Sequence, residues 1–400
     1  MLDRLTLLSI LLVVMVAIEG CSGPLRRDAV PATLQDKAQI QDIPKVRYSP
    51  RLASEVEALA VEGVDSYYRE KAYAEAQGQS GNLPPAVFLA ISGGGDNGAF
   101  GAGLLNGWTA AGDRPSFKLV TGVSTGALIA PFAFLGSSYD DKLKEVYTGI
   151  SQHDVLTQRN IMAVLLDDAM ADNRPLWRLI EKYVDQKMLD SIANEYRKGR
   201  LLFVGTTNLD SRLPNLWNLS KIAASGHPKA LELFRSLMIA SAAIPGAFPP
   251  VMIDVVANHK HYQEMHVDGG ASGQVFLYPP SLNIARLSEE HNVHRERKLY
   301  LIRNARLDTD WAQVERRTLK ILDRAVSSLI QSQGIGDLYR IYLTAQQDHI
   351  DYNLAYIPKS FTHPHKEDFD TAYMRDLFNL GYKLGSKGYP WEKTPPGIKH

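Results

Sequence analysis

Twice between residues 86 and 135 a largely apolar stretch meets glycines and turns straight into a helix of small or apolar side chains. Ala86-Val87-Phe88-Leu89-Ala90-Ile91 is apolar at every position, the mark of a strand buried on both faces of a parallel sheet. Phe117 to Val123 reads as a second such strand, and Ala127 to Leu135 as the apolar helix after it. The alternation continues. Leu201 to Gly205 is a strand, and Leu231 to Ala243 a helix ended by Pro245. Val251–Val256, Tyr262–Val267 and Lys298–Asn304 are further strands. Trp311, Val314, Leu322, Ala325 and Leu329 then trace one face of a long helix. There are no internal repeats. Alternating strands and helices give a single α/β domain of about 310 residues.

The two strand-to-helix junctions carry the chemistry. Gly122-Val123-Ser124-Thr125-Gly126 forces Ser124 into a sharp turn, with small neighbours where larger side chains would clash. Its hydroxyl then lies at a helix N-terminus, where the dipole favours developing negative charge. The other junction is Ser92-Gly93-Gly94-Gly95-Asp96-Asn97-Gly98, followed by a helix towards Trp108. Three consecutive glycines let backbone N–H groups face one side, which suits an oxyanion or a phosphate. Gly93, Gly95 and Gly98 also spell the GxGxxG of dinucleotide sites. That fingerprint needs an acidic residue at the end of the next strand to hold a ribose. Ser124 stands there instead, so dinucleotide binding is set aside. A third element lies far downstream, where a strand ends at Asp268-Gly269-Gly270. Serine hydrolysis needs a proton acceptor within reach, and a partly desolvated aspartate meets that need.

With these residues in order, the chain resembles the bacterial patatin-like phospholipases. The matching parts are Gly93 to Gly98, the elbow Gly122 to Gly126, Asp268-Gly269-Gly270, and the proline-rich stretch Ala240 to Pro250 after a core helix. The likeness spans roughly residues 84 to 305. Asn97 departs from it, since family loops often carry arginine near that position.

The resemblance implies a three-layer α/β/α hydrolase with a mainly parallel central sheet and no metal or organic cofactor. It implies Ser124 as nucleophile, Asp268 as base, and backbone N–H groups of Gly93, Gly94 and Gly95 as the oxyanion hole. Gly98, Gly122, Gly126, Gly269 and Gly270 would support the motif. The substrate class is phospholipid or another lipid ester. Two other readings stay open at this point. One is a non-catalytic lipoprotein that uses the fold to bind lipid or a partner. The other is a triad esterase, for which His349, His363 or His365 would complete the order Ser…Asp…His. The chain has eleven histidines. Those three fall in a polar C-terminal stretch expected to be peripheral, and His266 is expected to pack or meet solvent.

The N-terminus suggests a location. Leu5 to Ile18 is a run of 14 largely apolar residues, the length of a signal-peptide core and short of the roughly 20 a membrane-spanning helix needs. It ends at Ile18-Glu19-Gly20-Cys21, which resembles a bacterial lipobox, with Glu19 as a departure. Cys21 is the only cysteine, so no intrachain disulfide can form, and its place fits lipidation. The expected compartment is the bacterial cell envelope, with the enzyme tethered facing the periplasm or exterior. Hydrophobic residues at 45% and charged residues at 22% are globular values. With 44 basic and 44 acidic side chains the formal net charge is zero, which points away from nucleic acid.

The expected organisation is a signal peptide over residues 1–20, a proline-containing linker over 21–50 and a helical segment over 51–83. The catalytic core covers 84–305 and includes a helical insertion over 137–200. A C-terminal helical extension, 306–400, completes the domain. In the insertion, Ile161 to Leu166 and Leu176, Trp177, Leu179 and Ile180 read as packing residues, with a lid as the sharper alternative.

Overall fold

A computed structural model gives the fold and describes residues 26–79, 81–158 and 169–398. The apolar runs form strands as their composition demands. In chain order these are β1 (Arg47–Tyr48), β2 (Ala86–Ile91), β3 (Leu119–Val123), β4 (Thr157–Gln158), β5 (Ala171–Asp172), β6 (Leu201–Asn208), β7 (Leu213–Asn218), β8 (Val251–Ala257), β9 (Lys260–Asp268), β10 (Arg297–Arg303) and β11 (Asp351–Tyr356). Nine of them make the central sheet, in the order β1-β7-β6-β3-β2-β10-β11, with β9 on β6 and β8 on β9. The run β6-β3-β2-β10-β11 is parallel throughout. The chain is a mixed α/β protein with helices on both faces of a mainly parallel sheet.

Alternate side chains of the parallel strands feed two separate cores. Val87, Leu89, Ile91, Val120, Leu202 and Val204 point to one layer, with the helices Gly98–Ala111, Thr125–Leu135 and Ala230–Ser241. Phe88, Ala90, Leu119, Leu201, Phe203 and Leu301 point to the other, against helices Ala53–Ala76 and Thr318–Gln347. A strand with both faces buried has no polar side to alternate with, which is why these runs are unbroken.

One feature of register positions the site. On β6, Leu201–Gly205 pair with β3, and on the same edge Thr206–Asn208 pair with β9, because β7 takes the other edge. β9 is antiparallel to β6, so β3 and β9 run towards each other along one edge. Val123 ends opposite Gly205 and Asp268 opposite Thr206. Ser124, the residue after β3, and Asp268 therefore meet where the two strands converge.

Two expectations change. Residues 26–50, read as a linker, lie on the body: Val30, Ile40, Ile43, Val46 and Tyr48 are buried, and β1 adds to the sheet through β7. Apolar residues among the prolines give this stretch area to bury. The C-terminal stretch is not peripheral either. β11 extends the parallel sheet, and helix Thr371–Ser386 lies tightly along Gly98–Ala111. Any side chain at Gly103, Gly107, Gly381 or Gly385 would strike the partner helix backbone, so the four glycines set that close approach.

In the insertion Leu176 and Ile180 are buried in the core, while Ile161–Leu166 and Cys21 lie outside the described residues. The long C-terminal helix starts at Thr318, so Trp311 and Val314 precede it. No helix among the described residues is long and apolar enough to cross a membrane.

Candidate active site

Ser124 caps the helix Thr125–Leu135 with φ 54° and ψ −126°, a region that strains any residue with a side chain. Such a residue persists only when its surroundings over-determine it, and here they do. The Ser124 N–H donates to Ser241 Oγ at 3.1 Å, and Ser241 Oγ in turn donates to the Gly205 carbonyl at 2.7 Å. Its carbonyl accepts from the Ala127 and Leu128 N–H groups. A methyl at Gly126 would collide with the Ile91 and Ser92 carbonyls, and one at Gly122 with the Gly126 carbonyl. The glycines of the elbow are thus a steric requirement of turning a central strand into a helix.

The glycine loop runs beside it. A methyl on Gly93 would stand 3.2 Å from Ser124 Cβ. Gly94 takes φ 153° and Gly95 φ 58°, and a side chain at Gly94 would strike the Asn304 carbonyl. Among the described residues neither the Gly94 nor the Gly95 N–H has a protein acceptor, as an anion-binding loop requires. Gly93 differs from the expectation. Its N–H donates to the Gln274 carbonyl at 2.9 Å and is not available to an oxyanion.

Asn304, at the end of β10, clamps the loop. Its N–H donates to Ser92 Oγ at 2.9 Å, its Nδ2 to the Ser92 carbonyl at 3.0 Å, and its Oδ1 accepts from Gly101 N–H at 3.1 Å.

Asp268 ends β9 with its N–H bonded to the Ala243 carbonyl at 2.8 Å, and its Oδ1 accepts from Gly270 N–H at 2.7 Å. Gly269 has no room for a side chain beside the Gly205 carbonyl. Burial pushes the Asp268 carboxyl up to about 7, against the opposing pull of a hydrogen bond from the Ser124 hydroxyl and of the Gly270 N–H. Ser124 is 8% exposed and Asp268 4%. A carboxylate that ionises near neutrality against a strained hydroxyl is a base poised to take that hydroxyl's proton.

The histidines stand elsewhere. His266 is fully buried in a polar network. Trp217 Nε1 donates to Thr206 Oγ1 at 2.8 Å, and Thr206 lies 2.9 Å from His266 Nδ1. Nε2 of the same ring lies 3.1 Å from Glu264 Oε2, a carboxylate oxygen that can only accept, so the ring donates there. Burial alone would raise the Glu264 carboxyl, but His266 and Arg47 outweigh it and hold it at about 2. His363 pairs with Asp376 at 2.7 Å, and His349 is exposed.

His365 lies closest to the loop, 2.6 Å from Asp96, and that hydrogen bond raises its pKa. Asp96 also accepts the Phe369 N–H at 2.9 Å. The pairing offsets a carboxylate that would otherwise repel an anion in the loop. Among the described residues no histidine is hydrogen-bonded to Ser124 or Asp268, and no group of three His, Cys, Asp or Glu side chains is placed to hold a metal ion.

Residues 89–279 match the family model of patatin, patatin-like phospholipase. No curated protein sequence matches the chain. Among solved structures it is similar to VipD from Legionella pneumophila, at 12% identity and a TM-score of 0.38 over 76% of this chain. It is also similar to human GIVD cytosolic phospholipase A2, at 9% identity and a TM-score of 0.33 over 81% of this chain. The chain spans 66% of the length of the first and 55% of the second.

Proposed function

We propose that this chain, whose residues 89–279 are a patatin-like phospholipase domain, is a lipid acyl hydrolase working through a Ser124–Asp268 dyad. Asp268 takes the Ser124 proton as Oγ attacks the ester carbonyl carbon. The tetrahedral oxyanion accepts from the Gly94 and Gly95 N–H groups. Collapse breaks the bond to the alcohol, which leaves with the proton from Asp268, and the acyl group stays on Ser124. Asp268 then deprotonates a water that attacks the acyl-enzyme, releasing the fatty acid and regenerating Ser124.

The observation that carries this reading is the convergence of β3 and β9 on one edge of β6, with a carboxyl of pKa about 7 at the meeting point. A binding module has no use for a neutral-range base against a strained hydroxyl. The tether is a separate part of the proposal. The apolar run Leu5–Ile18 ending at Cys21 supports lipidation and a place in the bacterial cell envelope.

Fatty acid release from phosphatidylethanolamine vesicles tests the activity. Wild-type protein is expected to release it and Ser124→Ala is not. Equal release by both, or none by either across phospholipid classes, defeats the reading.

A further inference from the structure

The strongest surface anomaly lies outside the matched domain. In the outer part of the helix Thr318–Gln347, between Thr318 and Ile330, the described side chains other than Arg324 are exposed. Ile321, Leu322, Ala325, Val326, Leu329 and Ile330 recur at i, i+1, i+4, i+5, i+8 and i+9, which places them on one face. Leu329 is 70% exposed, and Trp311, just before the helix, is 88% exposed. Lys320, Arg324, Ser327 and Gln331 occupy the opposite face. Soluble proteins rarely leave so many large apolar side chains together in water.

Charge and placement select what covers this face. Glu315 pairs with Arg317 at 3.3 Å and Asp310 with Arg324 at 3.0 Å. Arg316 and Lys320 have no carboxylate partner among the described residues. Basic side chains on the polar face of an apolar-striped helix, with Arg316 and an exposed tryptophan just before it, complement phosphate headgroups above acyl chains.

The helix is also rooted on the site. Gln333 accepts from Gln274 Nε2 at 3.2 Å, and the same Nε2 donates to the Gly270 carbonyl at 2.8 Å. Asp337 accepts the Gln274 N–H at 2.6 Å. The apolar face therefore rises one turn from the loop that follows Asp268.

We propose that the outer half of this helix, with Trp311, docks the protein on a phospholipid bilayer and holds the membrane surface at the rim of the Ser124 site. The purpose of this contact rests on the lipid-hydrolase reading, but the contact can be tested apart from it. The test uses the full chain with Cys21→Ser, which removes the only cysteine, and Ser124→Ala, which stops turnover. Leu329→Cys or Ser327→Cys is added and labelled with acrylodan. Phosphatidylethanolamine–phosphatidylglycerol vesicles should shift the emission of the label at 329 to the blue and leave the label at 327 unchanged.

In the active chain, Leu322→Asp with Leu329→Asp should lower hydrolysis of vesicle phospholipid roughly tenfold or more, from lost apolar insertion. Hydrolysis of monomeric p-nitrophenyl butyrate should stay at the wild-type rate. No shift at 329, or equal shifts at both positions, overturns the proposal. So does a shift that appears with protein concentration alone, which would mean that a second copy of the chain covers the face. A shift at 329 in a protein that hydrolyses nothing would leave the docking intact and defeat the hydrolase reading instead.

Discussion

Replacing Asp268 with asparagine should make the protein more stable and much less active, by amounts that follow from its burial. The carboxyl rises from an ordinary 3.8 to about 7 in the fold, chiefly because its site is dry. Between those values the native state holds a proton that the unfolded chain has lost. Stability therefore falls by about 1.4 kcal/mol per pH unit over that window. The contribution is complete below about pH 4 and gone above about pH 7, a loss of up to about 4 kcal/mol. Asparagine keeps the shape and an acceptor for the Gly270 N–H but has no charge to desolvate.

Urea unfolding of both proteins at pH 5 and pH 8 measures the difference. The stability advantage of Asp268→Asn should grow by about 3 kcal/mol between the two. In the same variant ester hydrolysis should drop by a factor on the order of 10² or more. In wild type, kcat/KM should fall about tenfold per unit below pH 7, as the base is protonated. An advantage that does not change with pH, or changes with the opposite sign, would refute the claim that Asp268 is a buried carboxyl with a raised pKa.

Other predictions follow from the same geometry. Replacing His349, His363 or His365 singly with alanine should leave most of the ester hydrolysis. His266→Ala should instead destabilise the fold by about 2–4 kcal/mol, because it leaves Glu264 and Thr206 short of partners in a dry network. A histidine variant that stays folded and is as inactive as Ser124→Ala would restore a triad. Cys21→Ser should release the protein from membranes washed with sodium carbonate, which strips peripheral contacts such as the helix face, or block its maturation; unchanged retention after that wash with unchanged mass would rule out a lipid anchor.

The parts of the site that local sterics dictate were legible in the sequence. Gly122 and Gly126 flank Ser124 because strand, turn and helix must pack within a few residues, so the elbow announces itself. The unbroken run Ala86–Ile91 likewise told of a doubly covered strand. Asp268 was different: Asp-Gly-Gly is an ordinary turn sequence, and it stood out only as the third member of a set with the elbow and the glycine loop. Its meeting with Ser124 depends on register along β6, which no local pattern encodes.

The three loop glycines also look alike in sequence, and only the distant Gln274 carbonyl separates Gly93 from Gly94 and Gly95. Asn304, Ser241 and the His365–Asp96 pair were missed for the same reason, since each acts across more than 100 residues. The docking of helix Thr371–Ser386 did leave a signal. Gly103 and Gly107 repeat the four-residue spacing of Gly381 and Gly385, as two closely approaching helices require.

Fluorophosphonate labelling of purified protein, read by mass spectrometry of the proteolytic peptide that contains Ser124, decides whether Ser124 is the nucleophile. One labelled serine, Ser124, is expected, with labelling that rises as pH is raised through 7 and is absent in folded Ser124→Ala. Label on another residue, or a folded Ser124→Ala that reacts at the wild-type rate, would contradict that role.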